Sequence, residues 1–183
     1  RVRGANIFDG DFWFSNAKNV VGAAGEMNVN FMRINMNIWQ ALMNESVPYF
    51  MQVLNETMAA ASNHSFNVIL VFGGYVEHDN RCGSYGSFLD VQPVAQQIVA
   101  KFGQHPSLYA FELMNEAYST MGDGLKCDKP SIRQAVTAMY RLVRKGAPGS
   151  LTSVSEAWFW WYLPNWADVS SFSSFHIYPP VLS

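Results

Sequence analysis

Short runs of consecutive apolar residues alternate along this chain with longer segments whose apolar residues recur every three or four positions. The clearest run is Asn67-Val68-Ile69-Leu70-Val71-Phe72, closed by Gly73-Gly74. It has the composition of a strand buried on both faces of a parallel sheet. Similar runs predict strands at 3–7, 31–36, 151–155 and 169–177, and a short strand in the stretch 105–116 that carries Asn115 and Glu116 at its C-terminal end. Helical spacing predicts helices at 16–25, 47–61, 91–102 and 131–145. Pro48 falls in the first turn of the second, and Gly146-Ala147-Pro148-Gly149 stops the last.

This order predicts an α/β fold with a parallel sheet. The long segments at 8–14, 75–89, 118–130 and 158–166 all follow strands. Short turns on one side and long loops on the other favour a barrel whose chemistry lies at the C-terminal ends of its strands. With 183 residues, 49% of them hydrophobic, the chain reads as one domain over 1–183, with no repeat or linker.

That placement draws attention to Asn115-Glu116. A carboxylic acid beside an amide donor, at the mouth of an apolar strand, is what protonation of a glycosidic oxygen requires. The net charge of -2, without a basic stripe, excludes nucleic acid as an expected partner. No apolar run approaches the roughly 20 residues that span a bilayer, so no membrane partner is expected either. The 15% aromatic content, with six Trp, offers faces for sugar rings, although most single aromatics belong to a core.

Cys82 and Cys127 sit in polar, glycine-containing loops, where free cysteines are uncommon. A disulfide is the expectation and two free thiols the alternative; a bridge would imply an oxidising, secreted or extracellular location. Asn44, Asn55 and Asn63 fit the glycosylation acceptor pattern, which recurs by chance. The chain begins at Arg1, and any targeting signal is expected to lie outside it.

Four motifs in order resemble glycoside hydrolase family 5, the cellulase-like family of (β/α)8 TIM barrels. Arg3-Gly4-Ala5-Asn6 is similar to its first-strand Arg-Gly-x-Asn and Arg33 to its second-strand arginine. Asn115-Glu116 resembles its fourth-strand Asn-Glu, and His176-Ile177-Tyr178 its sixth-strand His-x-Tyr. The resemblance implies about six of eight βα units in this chain. It also implies a retaining hydrolase of β-linked polysaccharide or oligosaccharide, a β-glucan or β-mannan, with Glu116 as general acid/base. Asn115 would donate to the hydroxyl beside the anomeric carbon, Arg33 would orient the nucleophile, and His176 and Tyr178 would line the cleft. No cofactor or metal is implied.

Retention requires a second carboxylate about 5–5.5 Å away. The family carries it at the end of a seventh strand, and the chain ends at Ser183, after the sixth. Glu156, ending the fifth strand, is a candidate second carboxylate, but a supporting role is preferred because the family uses no nucleophile there. The family's third-strand histidine is replaced by Gly73-Gly74; His78 is a candidate substitute, with an exposed loop histidine the simpler reading. Glu112 lies inside its strand, so it should be buried and paired with Arg3 or Arg33.

Trp39, Trp158 and Trp13 are candidate sugar platforms by position. The run Trp158-Phe159-Trp160-Trp161-Tyr162 is equally readable as a lid or an oligomer contact. The competing function is a non-catalytic carbohydrate-binding protein, or one that oligomerises through the open edges of a shortened barrel.

Overall fold

The computed structural model describes residues 4–7, 11–36, 38–39, 42, 46–76, 86–118, 129–157 and 160–176, with the side chains of 4–7, 11–18 and 160–162 left out. In chain order its elements are β1 (Gly4–Ile7), α1 (Asp11–Glu26), β2 (Phe31–Asn35), α2 (Val47–Asn63), β3 (Asn67–Val71), β4 (Tyr75–Val76) and β5 (Gly86–Ser87). They continue with α3 (Phe88–Phe102), β6 (Leu108–Glu112), α4 (Lys129–Gly146), β7 (Leu151–Ser153), β8 (Ser155–Ala157), a 3-10 segment Trp160–Trp166, and β9 (Ser174–His176).

Five strands form one parallel sheet in the order β1-β2-β3-β6-β7. Val154 interrupts the next strand position, and β8 then pairs in parallel with β9. Backbone bonds from Leu113 N to Ser153 O (2.8 Å) and from Ser155 N to Met114 O (3.2 Å) carry the connection across the interruption.

The alternation of strand side chains divides the molecule. Met32, Ile34, Val68, Leu70 and Phe111 face outward into the main core, against Val94, Ile98, Val136 and Met139 of the helices. Burying each such side chain contributes about 1.5–3 kcal/mol. The inward face carries a small apolar group, Ile69, Val71 and Ala110. In register, Asn35, Val71, Glu112 and Ser153 form one row across four strands. A buried glutamate in that row needs partners, and they define the site below.

Local chemistry explains most boundaries. The Ser46 hydroxyl caps α2 by accepting from Tyr49 N, and Ser87 caps α3 by accepting from Leu89 N at 3.2 Å. That cap starts α3 at Phe88, ahead of the expected 91. Arg144 and Lys145 end α4, where cations oppose the helix dipole. Gly73 has φ 98, a conformation that glycine adopts without strain, and its carbonyl receives Asn115 N at 3.3 Å.

Two expectations need correction. Helix α1 begins at Asp11, so Trp13 lies on a helix and not on a loop; Asp11 suits a helix N-terminus, and no Gly or Pro occurs over 11–15. The sixth strand, expected over 169–177, is β only from Ser174 to His176. Val169 instead donates to Trp166 O (3.1 Å), and its carbonyl accepts Thr152 Oγ1 (2.8 Å). Ser171 Oγ accepts Thr152 N (3.1 Å). One backbone bond, Ser171 N to Thr152 O at 2.6 Å, joins the segment to β7, and the two hydroxyl bonds beside it compete with a regular ladder, which hydrophobicity alone does not reveal.

Candidate active site

Glu112 is completely buried, so its charge must be compensated inside the protein. Arg33 provides this: Nε donates to Oε2 at 3.0 Å, and Nη2 donates to Oε1. The Ser155 hydroxyl adds a bond to Oε1 at 2.7 Å. Of the two partners left open by the sequence, Arg33 is the one that meets Glu112; Arg3 lies outside the described residues.

Arg33 Nη2 also donates to Asn115 Oδ1 at 2.8 Å. A guanidinium only donates, so it selects the carbonyl end of the amide. The Asn115 NH2 is therefore turned away from Arg33, on a half-buried side chain at the strand's C-terminal end. Arg33 itself is buried and directed at Glu112 and Asn115, which makes it a holder of Asn115.

Glu116 follows with φ 49, in the left-handed region that non-glycine residues rarely occupy. Its carboxylate Oε1 lies 2.6 Å from His176 Nδ1, with the two side chains only 10% and 15% exposed. At that distance the imidazole and the carboxyl are joined by a hydrogen bond whose donor depends on the tautomer of His176. A carboxyl positioned by a hydrogen bond at a strand end is the kind of group that general acid–base chemistry uses.

The backbone around Glu116 is held by the fifth strand position. Glu116 N donates to Ser155 Oγ at 2.9 Å and Ala117 N to Ser155 O at 3.0 Å. Tyr118 N donates to both carboxylate oxygens of Glu156 at 3.1 Å. Glu156, considered as the second carboxylate, is fully buried and also accepts Trp166 Nε1 at 2.7 Å. It does not face Glu116: strand alternation puts Ser155 on the inner face beside Glu112 and sends Glu156 the other way, toward Tyr118 and Trp166. This geometry corrects the candidacy of Glu156 as nucleophile.

Trp39 is half-buried and packed against the main core, with its indole so close to Gly86 that a Cβ there would overlap the ring. Trp158, Tyr178, His78, Cys82, Cys127 and Asn44 lie outside the described residues. Among the described residues, no three His, Cys, Asp or Glu side chains converge as a metal ion would require. Sequence reasoning missed Ser155 and Trp166. The signal for Ser155 was available, because two-residue alternation along the fifth strand puts it on the same face as Ser153, in the row of Glu112.

No protein-family model matches the chain, and no curated protein does. Solved structures do. GH5_18 from Streptomyces cattleya, in complex with GlcNAc, superposes with a TM-score of 0.70 at 15% identity, over 97% of this chain and 51% of its own. Endoglucanase Cel5A of Pseudomonas stutzeri, in complex with cellobiose, gives 0.62 at 19% identity, over 98% and 56%. A β-galactosidase from Rahnella sp. R3 gives 0.71 at 12% identity, over 98% and 39%. The chain thus spans about half the length of the solved structures it matches. At these identities the likeness shows the fold: a parallel α/β arrangement shared with part of the glycoside hydrolase barrel.

Proposed function

We propose that this chain carries the acid/base half of a retaining glycoside hydrolase site for β-linked polysaccharide or oligosaccharide, of the glucan or mannan type. The observation that carries the reading is the Glu116 carboxylate, held 2.6 Å from His176 Nδ1 at the C-terminal end of a parallel sheet and next in sequence to Asn115. Glu116 protonates the departing glycosidic oxygen and then deprotonates the water that releases the sugar. Asn115, its carbonyl occupied by Arg33, donates from its NH2 to the hydroxyl beside the anomeric carbon. His176 and Tyr178 form the cleft wall, and Trp39 and Trp158 are sugar-stacking positions. The nucleophile is expected from a seventh strand, as the family resemblance implies.

Hydrolysis of aryl β-glycosides, β-glucan and β-mannan by a version of the protein that includes the seventh strand, and by its Glu116→Gln variant, tests this. A loss of about 10²–10⁴-fold is expected, the usual contribution of general acid–base catalysis. Unchanged hydrolysis in a folded Glu116→Gln protein would exclude the reading.

One observation favours a second reading for the chain as it stands. Glu112 is tied to Arg33, and Glu156 is directed at Tyr118 and Trp166. On that reading the chain binds β-linked oligosaccharide without cleaving it. Tryptophan fluorescence that saturates with added oligosaccharide, with no reducing sugar released, would identify it.

A further inference from the structure

We propose that Ser155 and Glu156 are positioning residues that impose the left-handed backbone of Glu116 and thereby aim its carboxylate at His176. The inference rests on the acid/base reading of Glu116. Three consecutive amides, those of Glu116, Ala117 and Tyr118, all donate to this dipeptide. The acceptors are a hydroxyl, a main-chain carbonyl and a carboxylate. Because Ser155 and Glu156 project from opposite faces of the strand, the dipeptide grips the turn from the barrel interior and from the helix side at once.

Each grip is itself locked. The Ser155 hydroxyl gives its proton to Glu112 Oε1 at 2.7 Å, so a lone pair remains for Glu116 N–H at 2.9 Å. Glu112 is fixed by Arg33, and the hydroxyl rotor therefore has one setting. On the other side, Trp166 Nε1 holds the Glu156 carboxylate at 2.7 Å. A non-glycine residue at φ 49 persists only where its surroundings over-determine it, and these bonds are that over-determination. Without them the turn relaxes and carries the carboxylate away from the imidazole.

The test needs no sugar and uses the chain as it is. The ¹³Cδ shift of Glu116 and the imidazole ¹⁵N shifts of His176 are followed through a pH titration. At 2.6 Å a change of charge on either group is expected to appear as an inflection in the signal of the other. In Ser155→Ala that inflection is expected to fall to less than half, with Glu116 amide exchange at least tenfold faster and the Leu70 and Phe111 amides still protected. Ser155→Thr, which keeps the hydroxyl, is expected to restore both signals. In Glu156→Leu, which removes both acceptors of the Tyr118 N–H, the Tyr118 amide is expected to exchange at least tenfold faster, and unchanged exchange overturns the role of Glu156.

A serine with a merely structural role would lower the melting temperature of Ser155→Ala and leave the inflection intact; that result overturns the proposal. If Leu70 and Phe111 lose protection in Ser155→Ala, Ser155→Cys decides by the same two signals, because its thiol is a weaker partner of the same shape. An intact inflection beside a hydrolytically dead Glu116→Gln rejects the positioning role alone. A weakened inflection beside an active Glu116→Gln rejects the acid/base reading.

Discussion

Asn115 meets Arg33 through its carbonyl oxygen, Oδ1 lying 2.8 Å from Nη2, and this fixes which end of the amide the cleft receives. Asn115→Asp keeps an acceptor for Arg33 but removes the NH2. The variant should fold with stability within about 1 kcal/mol of the parent and, on the proposed function, lose oligosaccharide affinity by about tenfold, the weight of one donated hydrogen bond. Calorimetric titration with a β-linked tetrasaccharide checks this. Full affinity in Asn115→Asp would mean that the NH2 does not touch the sugar.

Arg33 and Glu112 come from strands separated by β3, and removing one strands the other. Arg33→Met should destabilise the protein by about 3–5 kcal/mol, because it leaves a buried carboxylate without its cation. Arg33→Met with Glu112→Leu should cost less than Arg33→Met alone, since the unpaired charge is gone. Urea unfolding of both variants measures the difference; equal losses would show that the pair is not coupled.

At most positions Gly is less stable than Ala by about 0.5–1 kcal/mol. At Glu116 the order should reverse. With φ 49, an alanine retains the left-handed strain of about 1–2 kcal/mol that a glycine lacks, so Glu116→Gly should unfold at higher urea than Glu116→Ala. The opposite order would mean that the turn relaxes once the carboxylate is gone.

Tyr75 is buried, and burial pushes its phenol well above the ordinary 10.0, because the phenolate would be desolvated. Its hydroxyl donates to the carbonyl of Leu113, just past β6. The folded state thus holds the proton more tightly than the unfolded chain does. The stability linked to Tyr75 is complete below about pH 10 and is lost as pH rises from there through the folded-state value. Urea midpoints across that alkaline range should fall more steeply for the parent than for Tyr75→Phe; parallel curves would remove Tyr75 from the alkaline transition.

Gly86 lies under the Trp39 indole. Gly86→Ala should displace the ring, shift tryptophan emission and cost about 1–3 kcal/mol, the usual penalty of overpacking. If Trp39 is a sugar platform, oligosaccharide affinity falls with it. Unchanged emission would show that the ring is not seated there.

Much of this was legible in the chain itself. Val68 to Val71 could be read as a strand because an unbroken apolar run suits a sheet covered on both faces. That Arg33 and Asn115 would meet, and Glu116 and His176, was within reach of the sequence because the ends of neighbouring parallel strands lie on one edge of the fold. Residues 169–173 could not be read correctly, since their apolar and polar pattern fits a strand while hydroxyl bonds of Thr152 and Ser171 compete there with a regular ladder. Helix α1 was placed too short because aromatic residues carry no strong local signal for loop or helix.

By itself the sequence determined the α/β alternation, the parallel sheet, and an acid beside an amide at a strand end. These follow from local periodicity and chain order. Only the tertiary structure decided that Arg33 meets Glu112, that Asn115 turns its NH2 away from the guanidinium, and that Glu156 faces Tyr118 and Trp166. Each of these is a choice among partners distant in sequence, made by sheet register and strand face. The left-handed turn at Glu116 belongs to the same class, because its amide partners lie about forty residues further along the chain.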